Sequence, residues 1–263
     1  MVSIARKAAA HLVAAAGLLA GHSVCLGADL PRGDCRKPAA ATDLSGCDLA
    51  GAKLAGRNLR GARFIGAKLE NTDLRKAMLE DADFREANAK WANFTGARLN
   101  RANFTKADLF HATFDDADLS DAKLNEAYLF GSNLINTVAK RASFERAYLK
   151  DVLMEGIDLS GGSIKDCYAF RGVFSGAKLT SADLSGADLT GAAGENVDFT
   201  GARLVGTKLL GATLRHAVFA EADMQDADLA NADVWNANFD QARNRSESVQ
   251  EALIEPFVVR ERR

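Results

Sequence analysis

One spacing dominates this sequence. From Leu44 to Phe239 every fifth residue is a repeat centre, and the forty centres run in one unbroken frame, with leucine or phenylalanine at 32 of them. A period of five matches neither the 3.6 of a helix nor the 2.0 of a flat strand, so neither element can gather these side chains on one face. The period requires a chain that turns after each unit. If every five-residue unit is one side of a square coil, the centre and the residue two before it both point inward, because alternate side chains of extended chain share a face. The sequence obeys this: the residue two before the centre is alanine in 27 of the forty units, with Thr, Ser, Cys, Val and Gly among the substitutes. The residue just before the centre is mostly Asp, Asn, Lys, Arg, Ser or Thr. Glycine recurs two after it, where a corner favours unusual dihedrals.

Units such as Ala182-Asp183-Leu184-Ser185-Gly186 and Ala187-Asp188-Leu189-Thr190-Gly191 resemble the pentapeptide-repeat family, whose pattern is A(D/N)LXX, and the resemblance spans residues 43 to 240. It implies an all-β fold, a right-handed quadrilateral β-helix. Four units per coil give about ten coils, a rod on the order of 50 Å long at about 4.8 Å per coil. Reading every twentieth residue then stacks Phe64, Phe84 and Phe104 in one internal column and Phe199, Phe219 and Phe239 in another.

The same folding gathers residues that lie far apart in the chain. The sides centred on Ala89, Leu109, Leu129, Leu149 and Ala169 stack, and their outward positions carry Trp91, Phe110, Tyr128, Phe130, Tyr148, Tyr168 and Phe170, with His111, Lys150 and Arg171 beside them. Contiguous exposed aromatics mark interfaces, because soluble monomers rarely leave several hundred Å² of apolar surface open. This is the candidate binding face; a homodimer seam and a ladder that only stiffens the sheet are the other readings. Between Ser132 and Phe174 the pattern degrades: Val152, Ile157, Gly162, Cys167 and Gly172 replace alanine while Met154, Ile164 and Ala169 stand at centres. Larger groups at small positions opposite smaller centres predict volume compensation in the core, with Cys167 facing inward.

The ends read differently. Arg6 and Lys7, an apolar run from Ala8 to Ala20 and small residues around Gly27 and Ala28 have the order of a signal peptide. The run is too short to span a bilayer, which needs about 20 residues. The expected organisation is a signal peptide over 1–27, an N-terminal cap segment over 28–42, repeats over 43–242 and a C-terminal cap over 243–263. Export to a periplasmic or secreted location permits disulfides, and Cys35 with Cys47, flanking the start of the repeats, is the candidate pair. Ser248-Val249-Gln250-Glu251 reads as a capping box, predicting a short helix that turns Val249, Leu253 and Phe257 toward the last coil and stops at Pro256.

Net charge is −2, so no basic field exists for a nucleic-acid backbone. The scattered Cys and His give no metal spacing, and no cofactor is expected. Carboxylates on a convex surface around a filled lumen offer no catalytic pocket. The expectation is a non-catalytic exported solenoid, with no transmembrane span in the mature chain, that presents its aromatic face to a protein partner or to itself. Two alternatives stand. The family resemblance implies one, a DNA mimic that protects a topoisomerase, from which the balanced charge and the export segment depart; the other is a purely architectural envelope component.

Overall fold

The computed structural model describes residues 30–254; the signal peptide expected over 1–27, Pro256 and Phe257 lie outside them. From Asp43 to Arg243 the chain pairs with itself in parallel at a separation of twenty residues, as in Asp43 with Arg63 and Tyr128 with Tyr148. A turn follows each five-residue unit, so four turns separate one bridged residue from the next. The paired residue is the one just before each centre. The centre and the small residue two before it are buried on either side of it, while the corner residues face solvent.

One consensus unit shows why this sequence closes its coil. The Asp183 N–H donates to the Gly162 carbonyl one coil back at 3.0 Å, and the Leu184 and Gly186 N–H groups donate forward to Arg203 and Val205 at 2.8 and 2.9 Å. The Leu184 carbonyl closes the turn by accepting from Ala187 at 3.0 Å. That leaves the Ser185 N–H, which the Asp183 carboxylate accepts at 2.9 Å. Every backbone donor of the unit is therefore satisfied, and the Asp or Asn preceding the centre is explained by an orphan N–H two residues later. Gly186 has φ +70°, the left-handed third residue of a type II turn. Every corner from Ala41 to Gln241 adopts positive φ, and fifteen of them are glycine; elsewhere the ladder on both sides holds the strained residue.

The lumen is packed ring on ring. Phe64, Phe84 and Phe104 stack at 4.8 and 4.6 Å. Phe94 and Phe114 form a second stack at 4.7 Å that meets the first edge to face at 5.6–5.8 Å. Phe199, Phe219 and Phe239 stack near the other end at 4.9 and 4.6 Å. Hydroxyls that enter the lumen all find partners: Thr72, Ser132, Thr137 and Thr207 donate to the carbonyls of Leu49, Leu109, Phe114 and Leu184. In the degraded stretch, Gly162 and Gly172 make room for their neighbours. A Cβ on Gly162 would lie 2.6 Å from Leu159 and 2.7 Å from the Ala142 carbonyl, and one on Gly172 would lie 2.7 Å from the Phe174 ring. Cys167 is buried, and that burial raises its thiol pKa.

At the N-terminal mouth, Pro31 and Gly33 bond Asp43 from above. Cys35 and Cys47 are placed as a disulfide, Cα atoms 5.6 Å apart. Arg57 occupies a position that a small or apolar residue, most often alanine, fills elsewhere. In the first coil its side chain leaves through the open mouth and donates to the Pro38 carbonyl at 3.3 Å.

At the C-terminal end a helix, α1, spans Glu247–Ile254, beginning two residues earlier than the expected capping box places it. Ser246 supplies the first helical carbonyl, to Gln250. Ser248 therefore lies inside the helix, and its hydroxyl serves the last coil: it accepts the Leu229 N–H at 3.2 Å and donates to the Ala227 carbonyl at 3.1 Å, which Ser246 also reaches. The repeat ladder runs 21 residues forward to a donor and 19 to an acceptor, and from Ala227 and Leu229 both steps end on residue 248. Ser248 thus replaces the missing coil with one hydroxyl. Val249 is fully buried, whereas Leu253 is exposed, so of these two expected contacts with the last coil only that of Val249 is made.

Candidate functional site

All ten residues singled out on the aromatic face form one connected surface patch. Tyr128, Tyr148 and Tyr168, the protein's three tyrosines, occupy successive bridged positions of one column, with ring centroids 5.0 and 5.2 Å apart. Beside them Phe110 stacks on Phe130 at 5.6 Å. The next slot of this second column holds Lys150, whose ammonium sits 5.9 Å from both the Phe130 and the Phe170 centroid. A cation replaces one ring of the stack and touches the rings on either side. Tyr168 lies 6.2 Å from Phe170, which joins the two columns.

Corner residues close the ends. Trp91 meets Phe110 edge to face at 5.5 Å. His111 sets its ring across Phe110 and Phe130 at 4.2 and 5.8 Å, with Nδ1 3.0 Å from the Gly131 carbonyl. A Cβ on Gly131 would lie 2.5 Å from that imidazole, so only glycine at this corner lets the histidine lie down. Arg171 covers Phe170 at 5.5 Å and pairs with Asp151 at 2.8 Å. Lys90 pairs with Asp108 at 3.1 Å. Among the described residues Lys150 has no carboxylate partner.

The geometry decides what the patch can offer. The near-parallel rings spend their faces on one another, so solvent meets ring edges, and Trp91, Tyr128 and Tyr168 stand 50%, 40% and 36% exposed. No phenol hydroxyl is hydrogen-bonded within the described residues. Ring edges carry the positive end of the aromatic quadrupole and the Lys150 ammonium is positive, while the unbonded phenol oxygens are electron-rich, so the patch offers both sides of a polar contact.

Sequence reasoning missed a second aromatic site. Trp235, 57% exposed, meets His216 edge to face at 4.8 Å, and Asn236 lies 2.9 Å from the histidine Nδ1. Reading every twentieth residue brings Arg215-His216 beside Trp235-Asn236 and would have found it. Among the described residues no group of three or more Asp, Glu, His and Cys is placed to hold a metal ion, and no helix is long and apolar enough to cross a membrane.

Comparison with known proteins follows the same ladder. A family model for the pentapeptide repeat region matches residues 42–114, and one for eight copies of the pentapeptide repeat matches 122–161, 173–209 and 207–243. The gap at 162–172 holds Gly162, Cys167 and Gly172 together with Tyr168, Phe170 and Arg171. Solved structures similar to this chain include HetL of the cyanobacterium Nostoc sp. strain PCC 7120, a pentapeptide repeat protein involved in heterocyst differentiation regulation. It is 26% identical over 73% of this chain and 89% of its own, with a TM-score of 0.48. QnrB1, a plasmid-mediated fluoroquinolone resistance protein, is 21% identical over 75% of this chain and 95% of its own, with a TM-score of 0.32. A pentapeptide repeat protein of the Arabidopsis thaliana thylakoid lumen is 26% identical over 54% and 68%, with a TM-score of 0.19. No curated protein matches the chain.

Proposed function

The chain belongs to the pentapeptide-repeat family, and from that premise we propose that it is an exported, non-catalytic binding solenoid, a right-handed quadrilateral rod of about ten coils. Its aromatic face, from Trp91 to Arg171, is the surface that meets a protein partner. One observation carries this reading: aromatics and a cation stack into a continuous surface patch whose edges and hydroxyls face solvent without partners among the described residues. A ladder that served stiffness alone would gain nothing from leaving them exposed.

The Cys35 and Cys47 placement supports an oxidising compartment and, with the leader pattern of residues 1–27, export. Against the DNA-mimic alternative, charge on one corner column alternates along the rod, with Asp81 paired to Arg101 and Asp121 to Arg141. A duplex-binding protein would find no unbroken acidic row there.

The test is capture by cross-linking from envelope extract, comparing the natural protein with the triple variant Tyr128→Ser, Phe130→Ser, Tyr148→Ser. Loss of a captured protein, or of self-association, with an unchanged circular dichroism spectrum is expected. If capture and oligomeric state are both unaltered in a folded variant, the face is not a binding surface.

A further inference from the structure

We propose that the occupant of the aromatic face is a second copy of this chain, docked parallel and in register about a twofold axis that runs along the rod. The inference rests on the reading of that face as a binding surface and names its partner. The first argument is spacing. The tyrosine rungs repeat at 5.0 and 5.2 Å. An extended peptide laid along them presents a side chain to the same face only every 6.6–6.8 Å or so and slips out of step within three rungs. Flat ligands that stack on aromatics need free ring faces, and along the two columns these are turned toward neighbouring rungs. A surface rising at the same interval keeps step over its whole length, and a second copy has that rise in every coil.

The second argument is the charge pattern across the face. A twofold along the rod sets the residue before each centre opposite the residue after the same centre in the other copy. Tyr128 then faces Phe130, and Tyr168 faces Phe170. Tyr148 faces Lys150, which has no carboxylate partner among the described residues of its own chain. Further along, Lys68 faces Glu70, Asn88 faces Lys90, Asp108 faces Phe110, Asp188 faces Thr190, Lys208 faces Leu210 and Asp228 faces Ala230. No like charges oppose each other anywhere on this side. An antiparallel pair centred on Tyr148 would set Lys150 against Lys150 and Asp108 against Asp188. Shifted half a coil toward the N-terminus, it would set Lys68 against Lys208; shifted half a coil toward the C-terminus it sets no like charges opposite, and the cross-links below separate that pair from the parallel one. Like charges directly opposite destabilise a sheet contact.

The third argument is area. A face about 13 Å wide over the aromatic coils, about 24 Å, gives only about 300 Å² per copy at ordinary strand dimensions. In-register pairing extends the contact along the whole side, to roughly 600 Å² per copy. The total of about 1,200 Å² is the lower bound of a standard interface, which predicts a weak, concentration-dependent dimer.

The protein, purified as the cell processes it, is followed by sedimentation across micromolar to millimolar concentration. Two single-cysteine probes, Lys90→Cys and Leu210→Cys, are treated with a short bis-maleimide; Cys167 is buried and does not compete. The expected result is a reversible dimer in which each probe cross-links to itself and the two do not cross-link to each other, since six coils, about 29 Å, separate them. Tyr148→Ser raises the dimer dissociation constant about tenfold or more. A dimer in which neither probe cross-links to itself, whether or not Lys90→Cys joins Leu210→Cys, is not the parallel in-register pair and overturns the inference. A protein that stays monomeric but captures a different protein through the same face overturns it too, leaving the binding surface intact; a monomer that captures nothing removes both.

Discussion

Asp183 illustrates how a single side chain sets the pattern: its carboxylate accepts the only N–H in its unit that the backbone ladder leaves free. Asp183→Ala is expected to cost about 1–2 kcal/mol by stranding the Ser185 N–H, while Asp183→Asn, which keeps an acceptor, costs a few tenths; thermal melts of both variants check the contrast. Several carboxylates sit below their ordinary pKa: Asp43 through Ser45, Asp73 through Arg75, and the corner residue Asp121 through Arg141. Burial opposes ionisation of Asp118, but hydrogen bonds from Ser120 and Asn100 outweigh it. A carboxyl whose folded pKa lies below its unfolded value stabilises the fold above the unfolded value, 3.8 for aspartate, and loses that contribution as pH falls through the folded one. The melting temperature should therefore hold level from pH 8 to 5 and decline below about pH 4; a melting temperature that rises on acidification would contradict the assignment. Gly162 gives the opposite lesson about consensus. Alanine is the usual residue at its position, yet Gly162→Ala drives a Cβ into Leu159 and the Ala142 carbonyl and is expected to destabilise by about 1–3 kcal/mol.

At the level of the element, both ends show how a coil without a neighbour is closed. The Cys35–Cys47 link and the Arg57 bond to Pro38 hold a lead-in segment over the first mouth. Closing a loop of this size is worth about 3 kcal/mol in the chain-entropy picture. Each coil contacts only its neighbours, so Cys35→Ala with Cys47→Ala should fray the first coil without melting the rod. Hydrogen exchange would show this as lost protection at Leu44, Leu49 and Leu54 with unchanged protection at Leu129; uniform loss would mean that the link supports the whole fold. The ends were also where the sequence was least legible. Five-residue periodicity exposed the buried columns and all ten residues of the aromatic patch, because stacking at twenty-residue intervals is a matter of counting. Helix phase at Ser246–Ser248 depends on a hydroxyl that completes the ladder of the last coil, a tertiary demand that overrides a local capping box. Ring orientation in the patch, and the dependence of His111 on Gly131, arise from packing between coils and have no counterpart in spacing.

Across the whole molecule, stability is a chain of nearest-neighbour terms rather than one shared core. The Phe84, Phe94, Phe104 and Phe114 network is the densest of these, with stacked and edge-to-face contacts at 4.6–5.8 Å. It lies in the N-terminal half, far from the Phe199, Phe219 and Phe239 stack. Phe104→Ala removes a ring held on several sides by other rings and is expected to cost about 3–5 kcal/mol. A globular domain would spread that loss over one transition, but a rod can confine it to the coils around residue 104. The two tryptophans of the chain report on different coils, Trp91 near the network and Trp235 near the far end, and the variants Trp91→Phe and Trp235→Phe isolate each signal. With Phe104→Ala added, the urea midpoint seen by Trp91 should drop by about 1 M or more, while that seen by Trp235 moves far less, because the distal coils keep their own stack and the helix bonds of Ser248. If the midpoints instead fall together and by equal amounts, the interfaces between coils are strong enough to transmit a local defect along the entire rod, and the protein unfolds as a single unit despite its one-dimensional construction.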